Sequence, residues 1–126
     1  MYHRDLKVWQ ESNDLVKVIH DTMLKFPQNE QYGLSAQLRR AVVSVPSNIA
    51  EGCGRDSNKE LYHFINVASG SLAEVETRCY IAYSLGCINN MNEIDEKLES
   101  VQKLLAGFHK HIKKEIEKNN QIAEEV

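Results

Sequence analysis

Glu60 and His63 stand three apart in Glu60-Leu61-Tyr62-His63, the spacing at which one helix offers a carboxylate and an imidazole to the same metal ion. A di-iron bundle needs two such pairs and two further glutamates. No second Glu-x-x-His occurs, and Glu60 already has a local use three residues after Ser57, so the two side chains read as a surface pair at a helix start. His109 and His111 are two apart, which turns them to different helix faces and leaves them solvated. A nucleophile needs a base beside it. Cys79 falls on an apolar stripe and reads as an inert small hydrophobe. Cys53, between two glycines and near Arg55, has the setting of a more acidic thiol but no histidine assignable to it. Gly52-Cys53-Gly54-Arg55 lacks the Gly-Lys-Ser/Thr ending and the preceding strand of a phosphate loop. No catalytic, cofactor-binding or metal-binding residue is assigned, and no small-molecule substrate is identified.

The elements that carry these residues are helical. From Asp5 to Lys25 the apolar positions Val8, Trp9, Leu15, Val16, Ile19, Met23 and Phe26 fall at helical spacing, and Pro27 stops the run. After a connector over Pro27 to Gly33, Leu34, Leu38, Ala41, Val45 and Asn48 step by four and three, widened by Val42 and Ile49. Pro46 lies inside that pattern and predicts a kink or a break near Ser44 to Ser47. Gly52 to Asp56 reads as a loop, and Ser57-x-x-Glu60 as the cap of a third helix. That helix carries Leu61, Ile65, Ala68, Leu72, Val75, Cys79 and Ala82 and stops at Gly86. A fourth opens at Met91 or Asn92 and carries Ile94, Leu98, Val101, Leu105, Phe108 and Ile112. Four such seams with short connectors predict an all-α, antiparallel up-down-up-down four-helix bundle with left-handed packing. It forms one domain over residues 1–118, and residues 119–126 form a polar tail that frays.

Some residues fit a lone bundle poorly. Arg39 and Arg40 sit within an apolar helix, Asn48 falls on a seam, and Gly70 lies mid-helix at a cost of about 1 kcal/mol. Asn48 could fix helix register and Gly70 could admit another helix, or each is a local accommodation. Arg40 would need a partner, with Glu51 or a neighbouring subunit's carboxylate the candidates. Tyr62, Tyr80 and Tyr83 flank the third seam, and helix one shows two apolar sets, Val8-Leu15-Ile19-Phe26 and Trp9-Val16-Met23. That is more apolar surface than one core uses, and it predicts subunit contacts through helices one and three. His109, Lys110, Lys113, Lys114 and Lys118 form a basic cluster set against Glu115 and Glu117. It either complements the helix dipole and solvates the end or contacts nucleic acid.

With 126 residues, 42% of them hydrophobic and 26% charged, the chain has ordinary globular composition, and disorder is excluded. Fifteen Lys and Arg against 18 Asp and Glu leave a net charge of -3, which argues against a globally basic nucleic-acid binder. The 3 cysteines have no C-x-x-C spacing and read as reduced thiols in a cytoplasm. No signal peptide or membrane span is recognisable.

Tyr32-Gly33-Leu34-Ser35-Ala36-Gln37-Leu38-Arg39-Arg40-Ala41, followed by Ser44-Val45-Pro46-Ser47-Asn48-Ile49-Ala50-Glu51-Gly52, resembles a bacterial four-helix-bundle family. That family includes proteins encoded in intervening sequences of 23S ribosomal RNA genes. Phe26-Pro27 and Ala68-Ser69-Gly70-Ser71-Leu72-x-Glu74 extend the resemblance over about residues 5–115. It implies a homo-oligomer, with a five-fold ring favoured, and places Arg39, Arg40, Asn48 and Glu51 in the family's signature without a catalytic role. The chain also resembles accessory proteins of diversity-generating retroelements, whose pentamers associate with a reverse transcriptase and bind nucleic acid through basic surfaces. The expectation is a non-enzymatic oligomeric protein with an RNA- or ribonucleoprotein-associated accessory role. A purely structural protein–protein interaction module is the alternative, and a bundle enzyme with a metal centre is the third reading.

Overall fold

Each apolar seam becomes one helix face. The computed structural model describes residues 1–30 and 33–125; Gln31, Tyr32 and Val126, with the tyrosine that opens the signature segment, lie outside the described residues. The four helices are α1 (Lys7–Met23), α2 (Leu34–Cys53), α3 (Asn58–Ser84) and α4 (Asn92–Glu125), with 3-10 turns at His3–Asp5 and Gln28–Glu30. Among the described residues there is no strand. Among the described residues no helix is long and apolar enough to cross a membrane.

The termini follow local chemistry. Ser57, in extended backbone, accepts the Glu60 N–H with its hydroxyl at 3.2 Å and starts α3. At the other end Gly86 takes φ +81, and the Cys87 N–H reaches back to the Ala82 carbonyl at 2.8 Å. This closure needs a left-handed residue after the last turn, which glycine adopts without a Cβ clash. Of the kink or break expected at Pro46, the break does not occur, and α2 runs on as one helix. One ladder bond is missing there, but Pro46 itself and Val42, Val45 and Ile49 around it are buried, so packing on both sides holds the backbone. The segment expected to fray from 119 is helical to Glu125, although Glu117 to Glu125 are all exposed. Its Glu, Lys, Gln and Ala residues favour helix, and no Gly or Pro interrupts it.

Around the bundle each helix packs chiefly on its neighbours in the cycle α1, α2, α3, α4 and back to α1. Side-chain pairs give the directions. Up α3 and down α4, Asn66 meets His109, Glu76 meets Gln102 and Tyr80 meets Asp95. Ser44 of α2 meets Ser71 of α3 across their short turn. α2 and α3 are therefore antiparallel, as are α3 and α4. The core runs the length of the cylinder through Leu15, Ile19, Leu38, Ile49, Ile65, Val75, Leu98 and Leu105.

Candidate interaction surface

The residues first considered for chemistry are not brought together. Glu60 and His63 are both exposed, and the His63 ring stands edge-on to Phe64 at 5.2 Å. Among the described residues no group of three or more His, Cys, Asp or Glu could hold a metal ion. Cys53 does not have the acidic thiol expected of it. It is buried at the end of α2, and desolvation raises its pKa despite the lowering influence of the N-terminal ammonium. Burial also pushes Cys79 up to about 12, helped by Asp95 and Glu76. His109 is half-buried rather than solvated: its ring lies 4.6 Å from that of Tyr62, and Nε2 is 2.8 Å from Asn66 Oδ1.

The signature residues of α2 divide into two groups. Asn48 is half-buried where α2 meets α3, and its Nδ2 donates to the Ser44 carbonyl and hydroxyl, both at 2.8 Å. Ser44 Oγ in turn lies 2.8 Å from Ser71 Oγ, so a small polar network ties the two helices in one register. Arg39 and Arg40 are exposed. Glu51 is not their partner; it pairs with Arg55 one turn on, and that guanidinium lies 4.8 Å over the Phe64 ring. Neither Arg39 nor Arg40 has an ion-pair partner among the described residues.

Helix packing also relocates the glycine of closest approach. A Cβ at Gly52 would meet Phe64 Cβ at 2.9 Å and Leu61 Cδ1 at 3.0 Å, whereas one at Gly70 would meet nothing within 4 Å. Gly52 therefore lets α2 lie against the start of α3, and Gly70 instead leaves an open notch on the outer face of α3. Sequence reading missed Gly52, whose position in an apparent loop concealed it.

The second apolar set of α1 is absorbed inside the bundle. Met23 is buried, and Trp9 and Val16 pack partly buried against the core, so α1 offers no spare apolar stripe. α3 does. Tyr80, Ile81, Tyr83 and Leu85 are 45%, 45%, 48% and 63% exposed, with Val67 exposed further back. Two shallow depressions follow this face, one of about 460 Å³ edged by Tyr80, Ile81 and Leu85 and one of about 340 Å³ edged by Gly70, Ala73, Thr77 and Ile81. Tyr80 is held upright by donating its hydroxyl to both Asp95 oxygens at 3.0 and 3.1 Å, which raises its pKa.

Charges of both signs line α4, with Glu115 and Glu117 among the lysines of its second half. Glu93 and Glu96 are exposed near its start, and Lys110, Lys113, Lys114 and Lys118 are exposed in its second half without an ion-pair partner among the described residues. Lys97 is drawn inward instead, its ammonium 3.0 Å from Glu11 of α1, a hydrogen bond that raises its pKa. The family model described as 23S rRNA-intervening sequence protein matches residues 4–107. No curated protein matches the chain.

Proposed function

The chain belongs to the 23S rRNA-intervening sequence protein family, and from that premise we propose that it is a non-enzymatic, self-assembling helical-bundle protein with an RNA- or ribonucleoprotein-associated role in the cytoplasm. In this reading the up-down-up-down bundle, its helices packed left-handed, is the unit of a closed ring. Five subunits are favoured by the family resemblance. The observation that carries self-assembly is the outer face of α3, where Tyr80, Ile81 and Leu85 edge one depression and stay exposed although the core is complete without them. A contiguous apolar face of this kind on a small domain marks a partner surface. Light scattering coupled to size exclusion at micromolar concentration should return several times 14.4 kDa, and Ile81→Glu should lower that mass with helix content unchanged. A wild-type monomer would overturn the reading.

The RNA-associated part is supported by the lysine ridge. Lys110, Lys114 and Lys118 are spaced by one helical turn, about 6 Å of rise, and are free to meet phosphates. Anisotropy of a labelled single-stranded RNA should report binding that weakens with salt and is lost in Lys110→Glu/Lys114→Glu. Assembly without RNA binding in low salt would leave the purely structural interaction module as the function.

A further inference from the structure

We infer that the projecting end of α4 pairs antiparallel with the same segment of a second copy, across a two-fold axis at Asn119. Asn66, about two turns inside α3, meets His109, so α3 begins level with a point about two turns further along α4, near Glu117. α1 leaves α4 earlier. It runs antiparallel to α4, with Thr22 and Glu93 around one cleft and Glu11 beside Lys97, and it begins about one turn before Glu11. α2 stands across the packing cycle from α4. From Glu117 to Glu125 the helix therefore runs about 12 Å past the bundle, with every side chain exposed. Two turns of helix alone in water are marginal, and a neighbour along one side holds them. The segment lies outside residues 4–107, which carry the family match.

This end is complementary to itself. Buried Leu105, buried Ile112 and then Asn119 follow at steps of seven, and Ala123 stands seven after half-buried Ile116, so the face that fills the core continues past it. Ile122, 52% exposed, edges the stripe. With two copies antiparallel about Asn119, Ile116 of each is level with Ile122 of the other, and the two Asn119 amides meet at the axis, where a polar residue fixes register. Lys113 and Glu124 are eleven residues apart, about three turns, which places both on one flank of the stripe. They lie six residues before and five after Asn119, so the same axis sets each Lys113 against the other copy's Glu124. A parallel pair would set lysine on lysine and glutamate on glutamate. Lys110, Lys114 and Lys118 are on the opposite side of the helix and stay free for phosphate. In the ring proposed above, with the helices along its axis, every subunit projects this end from one side. Two rings meeting face to face then repeat the contact once per subunit, which offsets the small area of a single helix pair.

Light scattering tests the pairing. Ile122→Glu and Lys113→Glu should each return half the wild-type mass, with circular dichroism showing the bundle intact. Lys113→Glu/Glu124→Lys should restore the wild-type mass, since the exchanged charges meet again across the axis, and Lys110→Glu/Lys114→Glu should leave it unaltered. If Ile122→Glu keeps the wild-type mass, or if the exchanged pair stays at half, these ends are not partners. The ring and the pairing fail separately. A wild type of two chains that Ile122→Glu splits to 14.4 kDa keeps the pairing and removes the ring, whereas a mass lowered by Ile81→Glu and untouched by Ile122→Glu keeps the ring and removes the pairing. A wild-type monomer removes both.

Discussion

Replacing Gly52 by alanine isolates the contact that sets the spacing of α2 and α3. The added methyl would stand 2.9 Å from Phe64 Cβ, 3.0 Å from Leu61 Cδ1 and 3.3 Å from the Leu61 carbonyl oxygen. A leucine methyl can swing aside, but a Cβ and a carbonyl move only with their backbone, so the start of α3 must shift. Overpacking of this kind costs about 1 to 3 kcal/mol, and the helix gains back about 1 kcal/mol from losing a glycine. The expected balance is a loss of about 0 to 2 kcal/mol, or a fall in Tm of up to about 8 °C for a chain of this size. Gly107→Ala supplies the comparison, because a Cβ there meets nothing within 4 Å and only the helix gain of about 1 kcal/mol should appear. Both variants are melted by circular dichroism at one protein concentration, since assembly makes Tm concentration-dependent. If Gly52→Ala raises Tm by as much as Gly107→Ala does, the close approach does not govern helix spacing.

Ser35 Oγ is fully buried and lacks a hydrogen-bond partner among the described residues, so Ser35→Ala should raise stability by about 1 kcal/mol in urea unfolding; a loss of that size would reveal an acceptor. Tyr80 donates to Asp95, and its folded pKa lies above the unfolded value of about 10. Its contribution is therefore fully present below pH of about 10 and is lost as pH rises through the folded pKa. Ultraviolet phenolate titration should show one late tyrosine that returns to the ordinary range in Asp95→Asn, and an unchanged titration would contradict the pairing. Cys87 is half-buried, whereas Cys53 and Cys79 are buried with raised pKa values. Iodoacetamide at pH 8 should thus add a single label to the native chain, at Cys87 by peptide mass, and equal labelling of Cys79 would show its helix opening.

Much of the architecture is already written along the chain, because a helix turns four-three spacing into one face whatever lies opposite. Every residue of the third seam, from Leu61 to Ala82, is buried. The cap at Ser57 and the stop at Gly86 stand where local hydrogen bonding and φ require them. Those features depend on neighbours within a few residues, and such neighbours are adjacent in sequence. Pro46 shows the limit of local rules, since a break expected from one missing N–H is suppressed by helices packed on both sides.

What tertiary structure alone decided concerns distance between helices and rotation about their axes. Sequence names Gly52 and Gly70 equally as glycines, but only the α2–α3 spacing tells which one another helix touches. Trp9, Val16 and Met23 look like surplus surface until the rotation of α1 turns them onto its own core, leaving α3 as the face without cover. Glu51 can reach Arg55 because they lie one turn apart on the same side, which leaves Arg39 and Arg40 exposed and unpaired. Bringing Asn66 to His109 and Tyr80 to Asp95 needs the direction and order of the helices. Such contacts join different helices, and no periodicity within a single helix encodes them.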